Sequence, residues 1–333
     1  MRITRTAVLA VLAFSLGIAA APAASAQPAP GTWSKAAPMT GPRSELQAVT
    51  VGGKIYVVGG NVLRMTGGKL EPVPDTGINQ VYDPATDSWK TLAPVPRGAN
   101  HTGIAALDGK VYIGGGFTGR GHTKSADGFF AYDPATDRWQ ELAPLTTPRG
   151  APALIALGGK IHVIGGRIVN ADGAVPTHEV YDPSTNKWTP AAPLPVARDH
   201  VGIAVVDGKI HIYGGRKTDA VMSKVGLHDV YDPATDRWTP AAPMPVPVSS
   251  GTFAQYRGLL LYLGGECTAD DHTLAEVQAY DPKTDRWRLL APLPVGRHAN
   301  TAAVAADKLY MIGGSTGCGA EGLLADNLVF TLP

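Results

Sequence analysis

Aligned on six Gly-Gly pairs, the sequence sets out rows of side chains suited to binding and proton transfer. Sixteen positions before the pair stand Arg43, Arg149, Arg198 and Arg297, with Arg97 displaced by two and Val248 filling the fifth slot. A guanidinium offers five donors in a rigid fork that matches carboxylate or phosphate. Fourteen positions before the pair stand Glu45, His101 and His200, and Asn100, Asp199 and His298 fall between the two rows. Just past the pairs come Asn61, Phe117, Arg167, Arg216, Glu266 and Ser315. Histidine exchanges a proton near neutral pH, and a positioned carboxylate can serve as its acid–base partner. His200 and Glu266 are therefore the candidates for any catalytic role. The ligand-binding candidates are Arg43, Glu45, His101, Arg149, Arg167, Arg198, Asp199, His200, Arg216, Glu266, Arg297 and His298. Two of these readings have an alternative. An arginine opening an inner strand can bond neighbouring loop carbonyls, and a lone Glu266 facing arginines can form a salt bridge.

The elements that must hold these rows are visible as a repeat. Gly-Gly pairs begin at Gly59, Gly115, Gly165, Gly214, Gly264 and Gly313, each 26 positions after Trp33, Trp89, Trp139, Trp188, Trp238 or Trp287. Tyr82, Tyr132, Tyr181, Tyr231 and Tyr280 each precede a Trp by seven. One unit of about 50 residues recurs six times, a period that points to a repeat architecture. In one unit Leu154–Leu157 runs through Gly158-Gly159-Lys160 into Ile161–Ile164, followed by Glu179-Val180-Tyr181, the turn Asp182-Pro183-Ser184-Thr185 and a strand around Trp188. Proline sets φ and the Asp side chain bonds nearby backbone, so Asp-Pro-x-Thr is a turn. Four strands per unit in tandem predict an all-β propeller with six four-stranded antiparallel blades. Tyr, Trp and Gly-Gly are assigned to packing, and His162 and His211 to the slot filled elsewhere by Tyr56, Tyr112 and Tyr310.

The ends predict how the ring closes. Trp33 has no Tyr-Asp-Pro ahead of it, and the last unit stops three residues after Phe330 without its Trp. The segment around Trp33 is therefore expected to pair with the strand ending at Phe330, removing two open sheet edges.

Arg2 and Arg5, the apolar run Ala7–Ala21 and the small residues of Ala24-Ser25-Ala26 read as a signal peptide. The expected division is a signal peptide at 1–26, cleaved after Ala26, and a propeller at 27–333, secreted or periplasmic. The apolar run is short of the roughly 20 residues of a membrane span, so none is expected. With the signal removed the chain carries 27 basic against 28 acidic residues. That balance argues against a nucleic-acid partner. A monomer is expected. Cys267 and Cys318 are the only cysteines and both follow Gly-Gly pairs. An even count in an exported chain favours a disulfide.

The Arg-led strand, Gly-Lys-Ile-Tyr-Val-x-Gly-Gly, Val-Tyr-Asp-Pro-x-Thr-x-x-Trp and the closing Leu-Pro resemble the kelch repeat over nearly the whole mature chain. The resemblance implies a kelch propeller whose short turns share one face and whose variable loops share the other. The loop face carries Arg64, Lys69 and Glu71 in an insertion in the first unit, Arg120 and His122 in the second, and Asp270, Asp271 and His272 in the fifth. Loops on a rigid scaffold are where binding groups gather, so the site is placed there, with the arginine row circling the channel mouth.

Three kelch enzymes are similar in part. Exported N-acetylneuraminate epimerase shares the blade count and export, without a catalytic motif that transfers residue by residue. Nitrile-specifier proteins bind iron through Glu-x3-Asp-x3-His; Glu266 and Asp270 match, but Leu274 stands at the histidine position and His272 is two residues early. Galactose oxidase needs a Cys-linked Tyr, and both cysteines here are assigned to a disulfide. No zinc spacing, phosphate-binding loop or Ser-His-Asp motif stands out, so neither metal nor cofactor is expected. The expected function is a recognition module for an anionic small molecule, glycan or protein segment. The alternative is a cofactor-independent sugar mutarotase or epimerase.

Overall fold

The computed structural model describes residues 29–333, apart from positions 67–68, 74, 120–121, 172, 219 and 320 and the side chains of 64–66, 69–72 and 221. The expected signal segment 1–26, Arg120 and the side chains of Arg64, Lys69 and Glu71 lie outside the described residues. No helix among the described residues is long and apolar enough to cross a membrane.

Six four-stranded antiparallel sheets form the blades. Blade three, typical of the others, runs Ala153–Leu157, Lys160–Ile164, His178–Asp182 and Lys187–Pro190. Its first two strands are joined by Gly158 and Gly159 at φ +60° and +74°. Two consecutive positive-φ residues make the tight hairpin turn whose twist matches the flanking strands. Asp108 and Gly109 repeat it in blade two at +49° and +73°. The first strand of each blade lines a central shaft of about 460 Å³, walled by residues such as Ala48, Ile104, Ala156, Ala204, Ala254 and Ala302. Neighbouring first strands touch all the way round.

Ring closure follows the expected register. Thr32–Ala36 is the outer strand of the sixth blade and pairs antiparallel with Asn327–Thr331, setting Trp33 opposite Phe330. The core is not one mass but six apolar clusters, each between two adjacent blades.

The Tyr and Trp of the repeat have directed roles at these junctions. Each Trp indole N–H donates to an alanine carbonyl of the preceding blade, from Trp89 to Ala37 at 2.8 Å through Trp287 to Ala242 at 2.8 Å, with Trp33 to Ala291 at 3.3 Å closing the circuit. The Tyr231 hydroxyl donates to Asp236 Oδ1 at 2.8 Å, and the same oxygen accepts the Ala192 N–H at 2.8 Å. Asp236→Ala leaves both donors without this acceptor. Because the latch is solvent-accessible, the loss is expected to be about 1–2 kcal/mol, the net worth of two ordinary hydrogen bonds, read from the urea midpoint. An unchanged midpoint would show that the latch contributes nothing.

The Gly-Gly pairs set up the site. A Cβ on Gly60 would lie 2.4 Å from the Ser44 carbonyl oxygen, so only glycine lets the chain pass that close. Isolated bridges form just beyond: Ser44 with Asn61, Asn100 with Phe117, Gly150 with Arg167, Asp199 with Arg216, and His298 with Ser315. Rows separated by about 17 residues in sequence are thereby clamped side by side.

Candidate functional site

The row that contains Glu45, His101 and His200 forms a collar at the loop end of the shaft. Its six members are Glu45, His101, Ala151, His200, Ser250 and Ala299, all in the left-handed region at φ between +50° and +57°. For non-glycine residues this conformation is unfavourable by roughly 1–2 kcal/mol and needs compensation. It comes from bonds between blades. Glu45 N–H donates to Ala299 O at 2.7 Å, His101 to Glu45 O at 3.3 Å, Ala151 to His101 O at 2.8 Å, His200 to Ala151 O at 3.4 Å and Ala299 to Ser250 O at 2.6 Å. The sixth link is different. The Tyr262 hydroxyl donates to His200 O at 3.2 Å and accepts from Gly251 N–H at 3.1 Å, bridging blades four and five.

Above the collar the bridged rows create a compact polar mouth. Asp199, with a side chain 1% exposed, lies 3.3 Å from Arg216 Nε, 3.4 Å from Arg167 Nε and 2.9 Å from His200 Nδ1. That last approach lacks hydrogen-bond geometry, and His200 Nε2 makes no hydrogen bond to the described residues. Burial pushes the Asp199 carboxyl up, but His200, Arg216 and Arg167 prevail and hold it below the usual range. Glu266 accepts from Arg216 Nη1 at 2.7 Å and from Ser250 Oγ at 3.0 Å. Burial works against its ionisation too, and Arg216, His200 and His298 outweigh it, so it also stays below the ordinary value. Glu266 thus makes the salt bridge that its sequence position allowed. His101 is driven well below the usual histidine range by burial first, then by His200 and His122. Its ring lies 4.9 Å from that of His200 and 4.8 Å from that of His122. His298 turns toward its own blade, its Nε2 at 3.0 Å from both the Gly317 and Gly319 carbonyls.

The arginine row does not ring the mouth as expected. Arg43, Arg149, Arg198 and Arg297 are 0–2% exposed and reach into their own blades, toward the third strand. Arg198 donates to the carbonyls of Gly214, Val196 and Ile212 at 3.0–3.2 Å and to Asp229 at 2.7 Å. Arg149 bonds Glu179 at 2.5 Å together with the Thr147 and Val163 carbonyls. Arg43 bonds Gln80 and the Gly59 carbonyl, and Arg297 bonds Asp326 and the Gly313 carbonyl. Burial lowers all four, Arg43 to about 10. The physical reason is local supply: loop and strand-end carbonyls, plus an acceptor on or just before the third strand, engage the fork inside the blade. Where Val248 replaces the arginine, Gln278 bonds the Val246 backbone N–H and carbonyl directly, both at 3.0 Å. Arg97, the displaced member, pairs with Glu141 at the surface.

Sequence reasoning missed Tyr262, Ser250 and Asn300 at the collar. Tyr262 carried a signal, since its slot holds Val57, Ile113, Val163, Ile212 and Met311 in the other blades. Cys267 and Cys318 are joined as a disulfide with Cα atoms 5.8 Å apart, tying the loops of blades five and six beside Glu266.

Comparison with known proteins matches this architecture. The family model described as the KLHDC2/KLHL20/DRC7 Kelch-repeats domain covers residues 145–314, and Kelch motif models cover 99–146 and 42–96. Kelch-like protein terF of Aspergillus terreus is 36% identical over 116 residues, 33% of this chain and 24% of that protein. Kelch-like protein 15 of Homo sapiens is 32% identical over 91 residues, 27% of this chain and 15% of that protein. The matched stretches thus span a quarter or less of these relatives. A solved structure titled "Structure of YjhT" superposes with a TM-score of 0.74 at 16% identity, covering 89% of this chain and 96% of that one, a likeness of fold. The chain belongs to the kelch-repeat β-propeller family.

Proposed function

We propose that this chain is an exported recognition module that seats a saccharide in the polar mouth above the collar. Kelch propellers typically serve as protein-interaction or binding modules. The balance of charge in the mouth carries the reading. Arg167 and Arg216 face Asp199 and Glu266, with His101, His200, Ser250 and Glu45 interleaved. The arginines that would have made the funnel basic are spent inside the blades, so little net field remains to select an anion. Alternating donors and acceptors suit a ring of hydroxyls, each of which is both. Side chains of Asp199, His200 and Glu266 are 1%, 6% and 15% exposed, which favours a narrow ligand over a flat protein surface.

A cofactor-independent sugar mutarotase or epimerase is the second reading, motivated by His200. Its Nδ1 sits beside Asp199 while Nε2 is buried and makes no hydrogen bond among the described residues, an arrangement suited to taking a proton. Calorimetry against neutral oligosaccharides, acidic sugars and peptides tests both readings. Saccharide binding weakened at least tenfold by Glu266→Gln and by Arg216→Ala is the expected result. Binding confined to non-sugar anions, or to peptides, would overturn the saccharide assignment. Isomerisation of a bound sugar that stops in His200→Ala while binding persists would establish the enzyme.

A further inference from the structure

We propose that Glu45, His101 and His122 form a binding site for a divalent first-row transition cation, with Zn²⁺ as the best fit, where blades one and two meet. Their ligand atoms lie within 4.8 Å of one another. Glu45 Oε2 is 3.3 Å from His101 Nδ1 and 3.5 Å from His122 Nε2. These separations are too long for a charge-assisted hydrogen bond, which runs at about 2.7–2.9 Å. They match a coordination edge instead. Zinc bonds to nitrogen and oxygen of about 2.0–2.2 Å, set at a tetrahedral angle, place ligand atoms roughly 3.4 Å apart.

The surroundings support the same set. Glu45 Oε2 already accepts a hydrogen bond from Asn61 Nδ2, which fixes the carboxylate and leaves a lone pair for a cation. Asn100 Oδ1 lies 2.7 Å from His101 Nδ1, and its amide nitrogen is anchored to Asp75 Oδ1 at 3.0 Å. In the metal-free form Nδ1–H donates to the Asn100 oxygen, so coordination through Nδ1 releases the proton to solvent and gives up this hydrogen bond. Asp75 itself is pinned by the Gly119 N–H at 2.6 Å. Phe117 packs its ring against both imidazoles, at 5.6 Å from His101 and 5.0 Å from His122, giving an apolar wall. The three side chains are 11%, 11% and 31% exposed, so His122 is the open side through which an ion or water reaches the centre. Two imidazoles with one carboxylate suit zinc and its neighbours rather than Mg²⁺ or Ca²⁺, which prefer oxygen throughout. No zinc spacing showed in the sequence because positions 45, 101 and 122 come from separate loops, the last two joined within blade two and the first brought to them from blade one.

The site shares Glu45 and His101 with the saccharide mouth, so sugar binding is measured on chelator-treated protein, which keeps failure of one reading distinct from failure of the other. The test uses the whole exported chain, purified without a polyhistidine tag, stripped with chelator and titrated with Co²⁺ and then Zn²⁺. One Co²⁺ per chain with visible d–d absorption, displaced by Zn²⁺, is the expected result. Glu45→Gln and His122→Ala should each weaken binding at least tenfold, whereas His272→Ala, on the blade-five loop, should not. Circular dichroism and melting of His122→Ala, a loop change, verify that the fold persists. Absence of stoichiometric binding tighter than about 100 µM, or equal affinity in both site variants, would overturn the proposal.

Discussion

Arg198→Val is expected to destabilise the fold by about 3–5 kcal/mol, because it leaves Asp229 buried without its cation. The carbonyls of Val196, Ile212 and Gly214 lose their donor at the same time. Arg198→Lys should recover less than half of that loss, since an ammonium cannot span four acceptors set out for a planar fork. The fifth blade supplies its own control. There Val248 and Gln278 occupy the equivalent positions, and the glutamine bonds backbone in place of the arginine. Arg198→Val combined with Asp229→Gln should therefore be markedly more stable than Arg198→Val alone. Urea midpoints of the two single variants and the double variant give the coupling energy. A double variant no better than the sum of the singles would rule out the pin.

Acidification from pH 7 to pH 4.5 should strip several kcal/mol from the fold through two buried histidine pairs. His162 Nδ1 lies 2.9 Å from His178 Nε2, and His211 Nδ1 lies 2.9 Å from His228 Nε2. His178 and His228 use Nδ1–H to donate to the Ala192 and Ala242 carbonyls, which leaves each Nε2 as an acceptor for its partner. All four are pushed down to about 4 by burial; the paired ring lowers His162 and His228 further, while Asp236 pulls back on His178 and Asp207 and Asp285 on His211 without overcoming it. In the unfolded chain they titrate near 6.5. Between those values the unfolded state binds more protons, so stability is complete above pH 6.5 and falls as pH drops toward 4. A lone group shifted this far contributes about 3 kcal/mol, and members of a pair share their effect rather than adding it in full. Blades one and six carry Tyr56 with Asn79 and Tyr310 with Asn327 in the same slots. Copying those pairs with His162→Tyr, His178→Asn, His211→Tyr and His228→Asn should flatten the profile over this window. A profile as steep as in the parent protein would place the acid sensitivity elsewhere.

The blade count, the strand order and the closure at Trp33 were legible because each depends on spacing that repeats six times. The arginine row was legible as a row but not as to direction. The acceptors that turn Arg149 and Arg198 inward, Glu179 and Asp229, lie about 30 residues away on the third strand, where no local pattern ties them to the arginine. The mouth was half legible. Asp199, His200, Arg216 and Glu266 were marked by row and by variation between blades, and the bridges beyond the Gly-Gly pairs bring them together. The metal-ligand set was hidden, since Glu45 and His101 share a row while His122 lies in a loop whose residues differ from blade to blade.

The closing strand also decides how the molecule bears load. Thr32 faces Thr331 and Ala36 faces Asn327, so both chain ends leave the ladder at the same side of the sheet. Tension applied to the two ends pulls that ladder open like a zipper, one hydrogen-bonded pair at a time, instead of shearing all its pairs together. The sixth blade is therefore the mechanical fuse of the ring. A tether through the ends would open the propeller at low force, while attachment through the loops of two neighbouring blades would load their shared core and the bonds across it.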